Sequence, residues 1–348
     1  MISICVIVKN DAVNLRHCLE KIQPLGYEIV IVDTGSNDET IEVAKSFTKN
    51  VYDFLWCNDF SAARNFAISK ASNPYILMVD SDEFAVQFDK AEIEKLVRKH
   101  PNQVGRIHRN NPFERNGNSY IERELVNRLF AKEHFFYTGK IHEQITEKKE
   151  NSYETYVVPI EFDHQGYNGT ELERKQKADR NITLLKEMLA GQPSDTYVMY
   201  QLGKSYYFKG EYEVATTFFE QTFTYELDPN LEYVIDLIEM YGYSLLNSKQ
   251  YEKALCLESL YEEFSSSADF VFLMGLIYQE NGIFDRAVEE YLKATTYPDA
   301  KIEGVNGYLA FYNAGVILEC LGMKEEAYHY YSKCGGYEKA VAGRERCR

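Results

Sequence analysis

Over its first eighty residues the chain alternates short apolar runs with stretches whose apolar residues return every three to four positions. Ile2–Val8, Glu28–Val32, Val51–Leu55 and Tyr75–Val79 read as strands, the first and last apolar enough to be buried on both faces. Between them, Val13–Ile22 carries helical spacing through Leu15, Cys18, Leu19 and Ile22, and Thr40–Phe47 and Ser61–Ala71 read as further helices. Ser36-Asn-Asp-Glu39 has the pattern of a capping box and is expected to open the helix at Thr40. The order β-α-β-α-β-α-β predicts an α/β unit with a mostly parallel sheet, whose ligands bind at the carboxyl ends of the strands. Asp33, after the second strand, and Asp80 and Asp82, after the fourth, are then expected to face one crevice.

From about residue 196 the pattern is purely helical and repeats. Gly203, Gly242, Gly275 and Gly315 are each followed twelve residues later by alanine, at Ala215, Ala254, Ala287 and Ala327. Seven residues after the glycines stand Gly210, Lys249, Gly282 and Gly322, and nine after them Tyr212, Tyr251, Phe284 and Lys324. A small residue on each of two helices at constant separation lets the pair pack closely across a short turn. The units are spaced 39, 33 and 40 residues apart, close to the roughly 34 of a tetratricopeptide array with small insertions. Much of the large tyrosine content, 28 residues in all, falls in this half. It is expected to serve mainly interhelical packing and secondarily a peptide-binding groove.

Composition narrows the function classes. With 38 basic against 54 acidic residues the net charge is -16, which argues against a broad nucleic-acid or anionic-membrane footprint. Cys5, Cys18, Cys57, Cys256, Cys320, Cys334 and Cys347 are scattered without a C-x-x-C pair, as expected of reduced thiols in a cytoplasmic protein. No apolar stretch approaches the length of about 18 residues needed to span a membrane.

The chemistry gathers at Asp80-Ser81-Asp82-Glu83. Two carboxylates one residue apart at a strand end approach a single point, and carboxylate oxygens suit Mg2+ or Mn2+, so this is a candidate cradle for a metal holding a diphosphate. Together with Ile4–Asn10, Val32–Thr40 and Phe60–Asn65, the segment resembles the family 2 glycosyltransferases of the GT-A fold over about the first 165 residues. The later pieces Arg128-Leu-Phe130, Gly139–Glu143, His164–Tyr167 and Arg180-Asn181, running into helical repeats, resemble the SunS-type peptide S-glycosyltransferases.

The resemblance implies a role for each segment. Val8, Lys9 and Asn10 would wall the nucleotide pocket, and Asp33 would accept hydrogen bonds from the base or ribose. Thr34 departs from the family's two consecutive aspartates, which leaves the identity of the nucleotide open. Arg64 would face the diphosphate or brace the aspartates. Ser81 lies among the nucleotide-sugar residues, Asp82 is the first choice as metal ligand, and Asp80 lies nearer the ribose or in the outer shell. His164, expected beside a turn at Gly166, would complete the metal site. Glu143 and His142 both qualify as the general base of an inverting transfer, with Asp163 and Glu83 next.

The expected organisation is a GT-A domain over residues 1–168, a connecting helix over 169–195 and tetratricopeptide repeats over 196–348. The implied function is metal-dependent transfer of a hexose from a nucleotide diphosphate sugar, a UDP-sugar by preference, to a Cys, Ser or Thr side chain of a peptide or protein. Alternatives are a transferase building capsule or lipopolysaccharide glycan, and a catalytically silent repeat scaffold. Aromatic residues Tyr328, Tyr330 and Tyr331 on the last repeat suggest a homodimer contact.

Overall fold

The computed structural model describes residues 1–115, 118–149, 153–165 and 171–348, with backbone only for 114, 115, 118 and 171–174. The expected turn at Gly166 therefore lies outside the described residues. The chain divides into two compact units, Met1–Leu172 and Glu173–Arg348.

In the first unit β1 (Ile2–Val8), α1 (Ala12–Ile22), β2 (Glu28–Asp33), α2 (Thr40–Phe47), β3 (Val51–Asp53), α3 (Phe60–Lys70) and β4 (Tyr75–Asp80) follow the order read from the sequence. They continue into β5 (Glu83–Phe88), α4 (Lys90–Lys99), β6 (Val104–Arg115), β7 (Asn118–Ala131), β8 (Phe135–Thr138), β9 (Gln144–Glu147) and β10 (Thr155–His164). Eight strands form one sheet in the order β3-β2-β1-β4-β7-β6-β10-β5, and β8 and β9 pair separately. The first four strands of that sheet are mutually parallel, and β7 runs antiparallel to β4.

Strand alternation sorts the core between the two faces. Ile4, Val6, Leu77 and Val79 join Leu15, Leu19 and Val43 in one cluster, while Cys5, Val30, Met78 and Phe130 join Ala67, Phe135 and Tyr137 in the other. The register sets Val8 beside Asp33 and Ile7 beside Asp80, so both acidic strand ends flank the end of β1.

The capping-box expectation is corrected. Glu39 is the N-cap without a side-chain cap, the Thr40 amide donates to Asp38 Oδ1 at 3.0 Å, and Ser36 Oγ accepts from the Asn10 amide at 2.8 Å. The Asn37 amide donates to Asn10 Oδ1 at 2.8 Å, so the motif staples the loop after β2 to the loop after β1.

The second unit takes up α5 (Glu171–Gly191), whose first turn contains the division, followed by paired helices. The pairs are α6 (Thr196–Lys209) with α7 (Tyr212–Thr222), α8 (Glu232–Asn247) with α9 (Tyr251–Ala254), α11 (Ala268–Glu280) with α12 (Phe284–Ala294), and α13 (Tyr308–Cys320) with α14 (Lys324–Lys333). In the second pair the returning helix is broken: a 3-10 stretch, Leu255–Leu260, separates α9 from α10 (Tyr261–Phe264). A final helix, α15 (Glu338–Cys347), closes the chain.

Each repeat glycine sits where another side chain comes to the helix backbone. A Cβ on Gly203, Gly275 or Gly315 would lie 2.2, 2.7 or 2.8 Å from the ring of Phe219, Tyr291 or Tyr331, each sixteen residues on, and on Gly242 it would meet Leu273 and Leu257. The turn positions Gly210, Lys249, Gly282 and Gly322 are left-handed at φ 84°, 59°, 72° and 81°, conformations that favour glycine. The inference from Tyr331 to a dimer surface is corrected. Tyr331 is fully buried, its ring packed against Gly315 and Gly343, so α15 caps the array; Tyr328 and Tyr330 are half-buried.

Candidate active site

Asp33 ends β2 almost wholly buried. Its Oδ2 accepts from the Gly35 and Ser36 amides at 2.9 Å each, while Oδ1 is buried with no hydrogen-bond partner. Thr34, where the family has a second aspartate, turns back instead: its amide and hydroxyl both donate to the Val8 carbonyl, at 2.9 and 3.1 Å. Val8 is buried, and Lys9 and Asn10 are exposed beyond it.

α3 starts from Asp59, whose side chain accepts from the Ala62 amide, and brings Arg64 under the strand ends. Arg64 braces rather than reaches outward. Its Nη2 donates to Asp80 Oδ1 at 2.7 Å, its Nε donates to Glu143, and it lies over the Tyr137 ring with Cζ 5.5 Å from the centroid. From β7, Arg128 donates to Asp80 Oδ2 at 2.6 Å and to Glu83 at 2.7 Å. From β6, Arg109 reaches Glu83 at 3.1 Å and Glu124 at 2.6 Å. Glu83 is fully buried and also accepts from the Asp80 amide at 3.0 Å. Burial alone would raise the Asp80 carboxyl, but Arg128 and Arg64 outweigh it and hold the group well below the ordinary aspartate value.

This arrangement corrects one expectation. Both Asp80 oxygens face guanidinium groups, so a cation bound there would sit against two fixed positive charges, and Asp80 is better placed as an anchor than as a metal ligand. Asp82 and His164 are placed differently: His164 Nε2 lies 3.5 Å from Asp82 Oδ2, and its Nδ1 is 2.8 Å from Asn111 Oδ1. The Gln165 amide donates to the Asp82 carbonyl at 2.9 Å, continuing the β10–β5 ladder into the turn that precedes β5. Among the described residues no group of three or more His, Cys, Asp or Glu side chains converges as a metal site.

Ser81 donates to Asp11 Oδ2 at 2.6 Å. Burial, helped by Asp82 and Asp38 and opposed by the Ser81 and Asn14 hydrogen bonds, raises the Asp11 carboxyl. Of the two base candidates, Glu143 joins the cluster through Arg64, and His142 precedes it in a left-handed conformation at φ 49°. The Phe60 amide donates to the Lys140 carbonyl at 2.8 Å, tying their turn to the start of α3. Asp163, the reserve candidate, accepts from Asn110 at 2.9 Å. Sequence reasoning missed Arg109, Asn111 and Glu124 as members of the site, and Glu83 as its buried centre.

Residues 3–149 match the family model described as Glycosyl transferase family 2. The chain is 26% identical over 278 residues to the SPbeta prophage-derived glycosyltransferase SunS of Bacillus subtilis, covering 78% of this chain and 65% of that protein. It is 27% identical over 241 residues to a TPR repeat-containing protein of Synechococcus elongatus, covering 63% of this chain and 56% of that one. The chain thus spans less than two thirds of the length of either relative. Among solved structures, YrrB, a TPR protein, is similar at 22% identity and a TM-score of 0.42, over 50% of this chain and 87% of that one. The match to glycosyl transferase family 2 runs across the strands that position Asp33, Asp80 and Asp82, so the first unit is similar to that family there, and the second unit is an array of helix pairs.

Proposed function

We propose that the chain transfers a hexose from a nucleotide diphosphate sugar, a UDP-sugar, to a Cys, Ser or Thr side chain of a peptide or protein acceptor, with inversion at the anomeric carbon. The observation that carries this reading beyond the family match is the pairing of Asp82 with His164. Asn111 donates through its side-chain amide to Glu124, and its Oδ1 lies 2.8 Å from His164 Nδ1, which turns Nε2 toward Asp82. A carboxylate oxygen and an imidazole nitrogen 3.5 Å apart suit a cation between them. One carboxylate and one imidazole, with diphosphate oxygens and water in the remaining positions, suit Mg2+ or Mn2+. When bound there, the ion supplies Lewis-acid stabilisation of the departing diphosphate.

The chain's own residues do the rest. Asp33 presents its buried, unpartnered oxygen to the base or ribose, and the loop Val8–Asn10, stapled to Ser36 and Asn37, walls that pocket. Asp80 is held rigid by Arg64 and Arg128 between the nucleotide and the donor sugar. Glu143, oriented by Arg64, takes the acceptor proton as the nucleophile attacks the anomeric carbon in line. The repeats hold the acceptor.

The test is binding and turnover in the full chain. UDP should raise the melting temperature more with Mn2+ than in EDTA, and Asp82→Ala should erase that increment while far-UV circular dichroism is unchanged. Equal shifts with and without metal would sink the metal-bridged reading. Glu143→Gln should slow transfer at least about a hundredfold with donor affinity intact. The same loss in His142→Ala, with Glu143→Gln near normal, would give the role to His142.

A further inference from the structure

The turn that carries Glu143 belongs to a hairpin set apart from the main sheet. β8 and β9 form a sheet of their own, with Tyr137 opposite Ile145 and Thr138 opposite Gln144, and His142 and Glu143 lie in the turn between them. A lone two-stranded hairpin is marginal in water and must be held from outside. Phe135, Tyr137 and Ile145 are buried in one cluster with Ala67 and Ile68 of α3. That packing supplies adhesion, but apolar contact is non-directional and fixes no register.

Register comes from one side chain. Asn65 Nδ2 donates to the Tyr137 carbonyl at 2.8 Å, and the Tyr137 amide donates to Asn65 Oδ1 at 2.9 Å. In an antiparallel pair every second residue turns both main-chain groups away from the partner strand. Tyr137 is such a residue, and the Asn65 carboxamide stands where a neighbouring strand would. Because one carboxamide engages both groups of one residue, a slide of β8 by a single position would break both bonds.

The position so fixed is the one the chemistry uses. Arg64, one residue earlier on α3, donates from Nη2 to Asp80 at 2.7 Å and from Nε to Glu143, with its guanidinium over the Tyr137 ring. The Phe60 amide, one turn of helix before it, donates to the Lys140 carbonyl at 2.8 Å. Helix α3 therefore grips the hairpin at Tyr137, Lys140 and Glu143. Of these, the Asn65 contact lies on the strand, and the turn takes its place from the strand that leads into it. The Asn65 carboxamide is spent on main-chain groups, so its influence on the reacting atoms passes through the hairpin.

We propose that Asn65 is a positioning residue for the transfer: it sets the register of the β8–β9 hairpin on α3 and thereby holds Glu143 where Arg64 orients it toward the acceptor. The inference rests on the reading of Glu143 as the general base. A misplacement of about 1 Å at a reacting group can cost about a hundredfold in rate.

The test is a double-mutant cycle on the full chain, read by hydrolysis of UDP-glucose in Mn2+ with water standing in for the acceptor. Asn65→Ala should lower kcat at least about tenfold and leave KM for UDP-glucose within about twofold, because other elements hold the donor. In a Glu143→Gln background the same change should cost less than about twofold, since the group it places is gone. Losses that multiply, or a near-normal Asn65→Ala beside a slow Glu143→Gln, overturn the proposal and leave the base reading standing. A Glu143→Gln protein that hydrolyses normally overturns both. Hydrogen exchange gives a readout without turnover. Asn65→Ala should speed exchange across residues 138–147 at least about tenfold and leave 2–8 and 75–80 unchanged. Unaltered exchange in the hairpin overturns the proposal. If Asn65→Ala does not melt cooperatively, Asn65→Asp replaces it throughout, keeping an acceptor for the Tyr137 amide and losing the donor to its carbonyl.

Discussion

Glu83→Gln tests whether the ionic network beneath the strand ends is the keystone of the first unit. Glu83 is fully buried and accepts from three donors: Arg128 at 2.7 Å, Arg109 at 3.1 Å and the Asp80 amide at 3.0 Å. Glutamine is nearly isosteric but offers one oxygen. If that oxygen meets the two guanidinium groups, the new amide faces the Asp80 N–H, stranding a buried donor at a cost of about 1–3 kcal/mol. The two bonds to arginine also lose the charge that roughly doubles their strength. Breaking a buried ion pair on one side typically destabilises by about 3–5 kcal/mol, and we expect a loss in that range. It is a large share of the roughly 5–15 kcal/mol available to a domain. The chain has a single tryptophan, Trp56, and it lies in the first unit, so fluorescence during guanidinium unfolding follows that unit. A loss below about 1 kcal/mol would refute the reasoning, because it would mean that the arginines relax onto other acceptors. The pH profile gives a second check. Asp80 is held below its unfolded pKa of about 3.9, so it contributes stability that is fully present above that value and lost as pH falls through the folded pKa. Unfolding of the first unit should therefore become easier on acidification below about pH 4.

Two further outcomes concern the repeats. Gly275→Ala places a Cβ 2.7 Å from the ring of fully buried Tyr291, which has no exposed end to swing aside, and should lower stability by about 1–3 kcal/mol in thermal or chemical unfolding. Lys249→Gly should leave the second unit as stable or slightly more so, by up to about 1 kcal/mol. Lys249 occupies at φ 59° the left-handed position that glycine holds in the other three pairs, and a clear loss would show that its side chain matters more than its backbone.

The parallel half of the sheet was legible because its strands are buried on both faces. β1 and β4 are nearly continuous apolar runs, and the helices between them carry Leu15, Leu19 and Val43 at helical spacing. The repeats were legible for a steric reason: Gly203, Gly275 and Gly315 each receive a ring from sixteen residues on. What escaped were features whose partners lie far away in sequence. Ser36 and Glu39 have the spacing of a capping box, yet Ser36 bonds the Asn10 amide and the Thr40 amide goes to Asp38. Tyr331 looked like exposed surface because α15 had not been read as a helix, although Ala340 and Gly343 provide the small face that lets it cover the ring.

The site divided along the same line. Asp33, Asp80 and Asp82 stood out because each follows an apolar strand and together they stand in segments that resemble one family. Arg109, Asn111 and Glu124 did not, because they lie in β6 and β7, where charged and polar residues occupy both faces and no period of two in hydrophobicity survives. An inward arginine in such a strand looks like a solvated one until its carboxylate partner is placed. Spacing alone treats Asp80 and Asp82 alike as cation ligands; it was the resemblance that put Asp82 first and let Arg64 brace the aspartates. The two aspartates separate by electrostatics: Asp80 is neutralised by Arg64 and Arg128, and Asp82 lies beside His164, which is held by Asn111. The order in Asp80-Ser81-Asp82 is thus decided by two strands that follow it in the chain, and exchanging the environments of the two aspartates would require moving β7 and β10, not the motif.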